Sequence, residues 1–313
     1  MATAQTIRFR NLVAVLWVVG SIAAYFYSGT KSIPAAVAIP VGAAFLVELS
    51  FYFSMGRAWW AHPGMLAGSA LVSYLIYSIP TGVFAWKGLL LITGLVALAV
   101  VWLPLLPRWL DFGFLAFMGG VYLFKAITQP YVEPLETRIG VAALAQLMWF
   151  RVGIASVLAN RRDDRIGFGF VPGLREWKSG LRHFLLLAPV AAAVIYAIGF
   201  AEIRVAPGYW WKAPATFFGI LWVVALGEET FFRGILLQRL RDRFAAPVAI
   251  AVSSVAFGAV HLWFGNAFPN WKHALVATVL GVFCARAYLE GPGIRAAMVT
   301  HALAATVWKT FLR

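Results

Sequence analysis

Apolar residues fall in long blocks along this chain, broken by short polar stretches. A block of about 20 mostly apolar residues predicts a helix that crosses a bilayer. Such blocks lie at roughly 12–28, 34–54, 65–86, 88–106, 112–127, 139–158, 184–202, 214–237, 246–264, 273–289 and 294–311. The pattern predicts an all-α fold, a polytopic transmembrane helix bundle of about 11 spans. The longest polar break is "NRRDDRIGFGFVPGLREWKSGLRH", residues 160–183. Within it Leu174, Trp177, Leu181 and Phe184 recur at spacings of three and four, with Arg175, Lys178 and Arg182 off the stripe. That spacing predicts a helix lying in the membrane interface. The break divides the chain into an N-terminal transmembrane region (1–158), a basic cytoplasmic loop (159–183) and a C-terminal core (184–313). No internal repeat or low-complexity tract is evident.

Composition agrees with the pattern. Hydrophobic residues make up 62% of the 313 residues and charged residues 12%, against roughly 45–50% and 25% in soluble domains. The formal charge of +14 sits in short loops, as the positive-inside rule places it. No segment is long and polar enough to carry a basic patch, so nucleic acid is not an expected partner. With Arg8 and Arg10 cytoplasmic, alternation puts Arg57, Arg108, the 159–183 loop and Arg239, Arg241 and Arg243 on the same side. Glu133 and Glu136 fall opposite. Arg8 and Arg10 ahead of an apolar run imitate a secretory signal, but the many runs that follow favour a retained first helix. The one cysteine, Cys284, excludes an internal disulfide and reads as a small buried apolar residue.

Candidate chemistry comes from polar groups at membrane depth, where a charge costs at least ~2.5–3.5 kcal/mol and commonly serves function. The spans contain Glu48, Glu228 and Glu229, with His261 and His301; His273 begins a span, and Glu202 and Glu290 sit at span ends. Glu229 and Arg233 are i,i+4 and predict an ion pair on one helix face. Glu228 is rotated by about 100° and has Phe231 and Phe232 at i+3 and i+4. It has no local partner, which leaves it available as a general base or acid. His261 follows Phe257 by one turn, and His301 lies about two turns into the last span. The bland alternative, a salt-bridge network that joins helices, suits Glu229 and Arg233 better than Glu228.

Other intramembrane protease chemistries lack their motifs: there is no HExxH, no GxGD and no GxSG, and the only aspartate in a span is Asp111 at its end. "EETFFR" (Glu228, Glu229, Arg233) fits EExxxR, "FGAVH" (Phe257 to His261) fits FxxxH, and "HALAA" (His301 to Ala305) fits the start of HxxxN. This order and spacing, over about residues 184–311, resembles the CPBP family, the CAAX-protease and bacteriocin-processing or Abi group. It includes the type II CAAX prenyl endopeptidases, which are intramembrane glutamic proteases. The resemblance implies that Glu228 activates a water together with His261, that His301 stabilises an oxyanion, and that Glu229, Arg233 and Phe257 support the site. It implies no cofactor, a membrane-associated peptide or protein substrate, and a place in a bacterial cytoplasmic membrane. The family's asparagine four residues after the last histidine is Ala305 here, which removes one oxyanion donor; Asn266 and Asn270 lie in the loop after His261.

Two other readings remain. A zinc-dependent protease would use Glu228, His261 and His301 as three ligands with an open position. A transporter or an immunity-type binding protein would use the cavity without chemistry, with Glu48 as a second buried polar site.

Overall fold

The computed structural model describes residues 33–57, 60, 62–134, 140–161, 163–205, 207–264, 268–291 and 293–312. The first expected span, Arg8, Arg10, Glu136 and Asn266 lie outside the described residues. The fold is all-helical; among the described residues the only β-type pairing is a single bridge between Ile203 and Leu312. The chain divides into two compact units, Met1–Arg162 and Asp163–Arg313.

The first unit contains α1 (Ala35–Phe53), α2 (Pro63–Ser78), α3 (Trp86–Leu105), α4 (Asp111–Leu123) and α5 (Ala142–Arg161). Pro63 opens α2, where a missing N–H costs nothing. Pro40 and Pro104 sit inside α1 and α3, as membrane helices tolerate. At its centre Arg151 of α5 is fully buried and donates to both carboxylate oxygens of Glu48, at 2.5 and 3.1 Å. Ser73 donates to Glu48 and Arg151 to Ser69 Oγ, each at 2.8 Å. A second pair joins Arg161 to Asp111 at 2.8 Å. The polar residues expected at depth included Glu48 but omitted Arg151, the partner that neutralises it.

The second unit contains α6 (Leu174–Ala197), then one unbroken helical segment over residues 209–241, called α7, then α8 (Ala246–Val260), α9 (Trp271–Glu290) and α10 (Ile294–Phe311). The helix expected at the interface is instead the first part of α6, which runs on through Pro189. Its apolar stripe faces outward, with Leu174, Trp177 and Leu181 exposed, while Glu176, Gly180 and His183 are buried. The reason is tertiary. Glu176 pairs with Arg295 at 2.6 Å. A Cβ on Gly180 would stand 2.5 Å from Val299 and 2.7 Å from the Ala296 carbonyl, so α6 and α10 cross closely.

Among the described residues, six helices are long and apolar enough to cross a membrane: α1, α3, α5, α6, α9, and α8 extended to Trp263. The expected count of about 11 is not reached among the described residues. α2 has 16 residues and α4 has 13, short of the ~20 that a perpendicular crossing needs.

Small residues also bring α8 against α9. A Cβ on Gly258 would meet Thr278 Oγ1 at 1.9 Å and the Ala274 carbonyl at 2.5 Å, and one on Gly281 would meet Ser254 at 3.0 Å. Gly293, with φ +108, starts α10 against Ile166 and Gly167, where no side chain fits. Asn270 caps α9 by accepting from the His273 N–H at 3.1 Å. These crossings fix the ends of α8, α9 and α10 around the middle of α7.

Candidate active site

α7 is not a uniform helix. Residues Ile220–Ala225 and Thr230–Leu237 are wound as wide π-turns, and a single α-turn, Leu226–Glu229, lies between them. Widened turns recur at functional sites. One local signal for this one is Thr230, whose hydroxyl donates back to the Leu226 carbonyl at 2.7 Å. The α-turn carries both glutamates. Trp222, one turn ahead, donates to the Phe170 carbonyl at 2.7 Å and ties the helix to the preceding loop.

The two glutamates have different surroundings. Glu229 is fully buried, as is Arg233. Arg233 Nη1 donates to Glu229 Oε1 and its Nε lies by Oε2, both at 3.2 Å, while Nη2 donates to the Gly281 carbonyl of α9 at 3.0 Å. The guanidinium also lies over the Phe257 ring, 4.5 Å from its centroid. Glu229 Oε1 meets His301 Nδ1 of α10 at 2.8 Å, and the Cys284 sulfur of α9 lies within 4.8 Å of a Glu229 oxygen. Thus Glu229 joins three helices. The Glu228 side chain keeps 16% of its surface exposed. Its Oε2 is buried without a hydrogen bond, 3.8 Å from His301 Nε2.

His261 opens the single turn after α8 and is buried. Its Nδ1 bonds the Phe257 carbonyl at 2.7 Å. A carbonyl only accepts, so Nδ1 carries the proton and the neutral ring presents Nε2 as an acceptor. Phe257 is the hub of the aromatic packing, with ring centroids 4.7 Å from His261, 5.7 Å from His301 and 5.1 Å from Phe232. Phe264 stacks on His261 at 4.6 Å, and His273 lies 5.4 Å from it. Trp308 and Phe200 continue this aromatic wall beside His273.

The structure therefore gathers Glu228, Glu229, Arg233, Phe257, His261 and His301 into one region. Within it, the histidine that reaches Glu228 is His301; no hydrogen bond joins Glu228 to His261. Among the described residues, the side chains close enough to share a metal ion are Glu229, Cys284 and His301, not the set Glu228, His261 and His301. Asn270 is committed to its loop, where it caps α9 and donates to the Phe264 carbonyl at 2.9 Å. Sequence reasoning read Cys284 as a small buried apolar residue and His273 as the start of a span, and connected neither these nor the Gly281 carbonyl with the glutamates. None of them has a local spacing relation to the glutamates, so only the packing of α9 reveals them.

Residues 209–307 match the family profile described as type II CAAX prenyl endopeptidase, Rce1-like. That region is CPBP-like. The match spans α7 to most of α10 and includes every residue of the three motifs; the first unit and α6 lie outside it. No curated protein and no solved structure matches the chain. The CPBP-like region supports a membrane protease, a hydrolase acting on membrane-associated protein substrates. Its apolar helices are those of an integral membrane protein.

Proposed function

We propose that this protein is a glutamic-type intramembrane endopeptidase, with Glu228 as the base that activates water and without need of a metal. The observation that carries the reading is Glu228 Oε2. It is a buried carboxylate oxygen with no hydrogen-bond partner, 3.8 Å from His301 Nε2. That separation is too long for a direct bond and short enough for one water beside the pair to contact both.

In this reading Glu228 takes a proton as the water oxygen attacks the scissile carbonyl. The negative charge moves to the carbonyl oxygen. His301 as imidazolium donates from Nδ1 to Glu229 and from Nε2 to that oxyanion, which offsets the donor absent at Ala305. Collapse breaks the C–N bond, and the proton held by Glu228 passes to the leaving amine. His261, fixed through Nδ1, presents Nε2 as an acceptor that orients the water from the other side. Glu229 and Arg233 act through His301 as positioning residues. A prenylated CAAX peptide, a leader peptide and an unprenylated membrane protein are all substrates of the right chemistry.

The test is the purified chain in liposomes with a detergent-extracted membrane proteome, with new protein termini compared between wild type and Glu228→Gln. We expect cleaved termini that depend on Glu228, with a loss of about 10²–10⁴ in rate, the usual worth of a general base. Full cleavage by Glu228→Gln sinks the proposal.

A further inference from the structure

We propose that Glu229, Cys284 and His301 form a binding site for a thiophilic divalent metal ion, Zn²⁺ above all, and that the bound ion switches the protease off. The inhibitory part rests on the catalytic reading above; the binding part does not.

The three side chains come from three helices, α7, α9 and α10, and all are buried. Their sulfur, nitrogen and oxygen ligand atoms lie within 4.8 Å of one another. Ligands on a tetrahedral zinc ion are bound at ~2.0–2.3 Å, so modest side-chain rotation closes the set. A thiolate, an imidazole and a carboxylate are the donors that zinc takes, and the thiolate selects against Mg²⁺ and Ca²⁺. The surroundings already orient these ligands. Arg233 holds Glu229 from one side, with Nε beside Oε2 and Nη1 on Oε1, and Oε1 also meets His301 Nδ1. The same guanidinium is anchored on the Gly281 carbonyl, one turn from Cys284 on α9. Such outer contacts are what hold ligands for a metal. With the thiolate, the Glu228 and Glu229 carboxylates and Arg233, a divalent ion brings the buried cluster to zero net charge.

Binding exchanges protons for the ion. The Cys284 thiol proton and the His301 Nδ1 proton leave to solvent, so the imidazolium becomes a neutral ring with Nδ1 as a ligand atom. Nε2–H then faces Glu228 Oε2 across the 3.8 Å gap. The ion thus takes His301 from its positioning contact with Glu229 and removes its imidazolium charge. Nε2–H of the fixed ring is held toward Glu228, and the positive charge that stabilises the oxyanion is lost.

The experiment uses the full-length purified chain in detergent, with Co²⁺ as a spectroscopic stand-in for zinc. Expected are one ion bound per chain and a near-ultraviolet thiolate-to-cobalt charge-transfer band, both lost in Cys284→Ala and Cys284→Ser. Since Cys284 is the only cysteine in the chain, the band assigns the site. Glu228→Gln and His261→Gln keep it. In the cleavage assay, the ratio of rates without and with Zn²⁺ falls by at least about 10–100-fold in Cys284→Ala relative to wild type. A wild-type protein without the band overturns the site, and so does a band that survives Cys284→Ala or disappears in His261→Gln. A Cys284-dependent band with no change in zinc sensitivity overturns the switch. A chain with no protease activity still gives the cobalt result, so failure of the catalytic reading is told apart from failure of the metal site.

Discussion

Replacing Arg233 with methionine keeps an unbranched stem against Phe257 but removes the charge that Glu229 faces. Both side chains have 0% exposure, so water cannot take over. The variant strips Glu229 of the guanidinium at 3.2 Å on both oxygens and leaves it His301 at 2.8 Å. Breaking a buried pair on one side costs about 3–5 kcal/mol, because a charge is left uncompensated. That is roughly two to three and a half orders of magnitude in the folded-to-unfolded ratio. Removing both charges, in Glu229→Leu/Arg233→Met, leaves no orphan. The double variant should recover much of the loss, with a coupling of about 2 kcal/mol or more. The measurement is reversible SDS-induced unfolding of the purified protein in mixed micelles, followed by tryptophan fluorescence, for wild type, the two single variants and the double. A single Arg233→Met cost under about 1 kcal/mol, or a double equal to the sum of the singles, refutes the account of Arg233 as the neutraliser of Glu229.

Gly258→Val drives a side chain into Thr278 Oγ1 and the Ala274 carbonyl, at 1.9 and 2.5 Å from the position of Cβ alone. Overpacking should cost about 1–3 kcal/mol and displace His261 one turn on, so cleavage should fall more than folded yield; circular dichroism beside the cleavage rate separates the two. Outside the membrane-spanning helices, hydrogen bonds from the Arg165 guanidinium hold the Asp163 and Asp242 carboxyls below the ordinary 3.8. Their depressed values contribute stability that is full above about pH 4 and is lost as pH falls through the native values. Arg165 is 46% exposed, so Arg165→Ala should cost less than about 1 kcal/mol at neutral pH, and its difference from wild type should shrink in acid. A difference that grows below pH 4 contradicts that sign.

Much of the architecture is legible in the sequence because it is written in local patterns. Apolar block length decides that α1, α3, α5, α6, α8 and α9 are membrane-type helices, and the four-residue spacing of Glu229 and Arg233 puts them on one face of one helix. The three short motifs also mark which helices meet at the site. Distances between helices are not local. Glu48 looks alone until Arg151 arrives from α5, more than 100 positions away. The stripe of Leu174, Trp177 and Leu181 has the period of an interfacial helix, and only the Gly180 crossing and the Glu176–Arg295 pair turn it outward as part of a longer one. Glu228 and Glu229 differ by one position in the chain, but their partners come from α9 and α10. Periodicity encodes the direction in which a side chain leaves its own helix; which atoms it then meets depends on how closely the small residues of α6, α8, α9 and α10 let those helices approach.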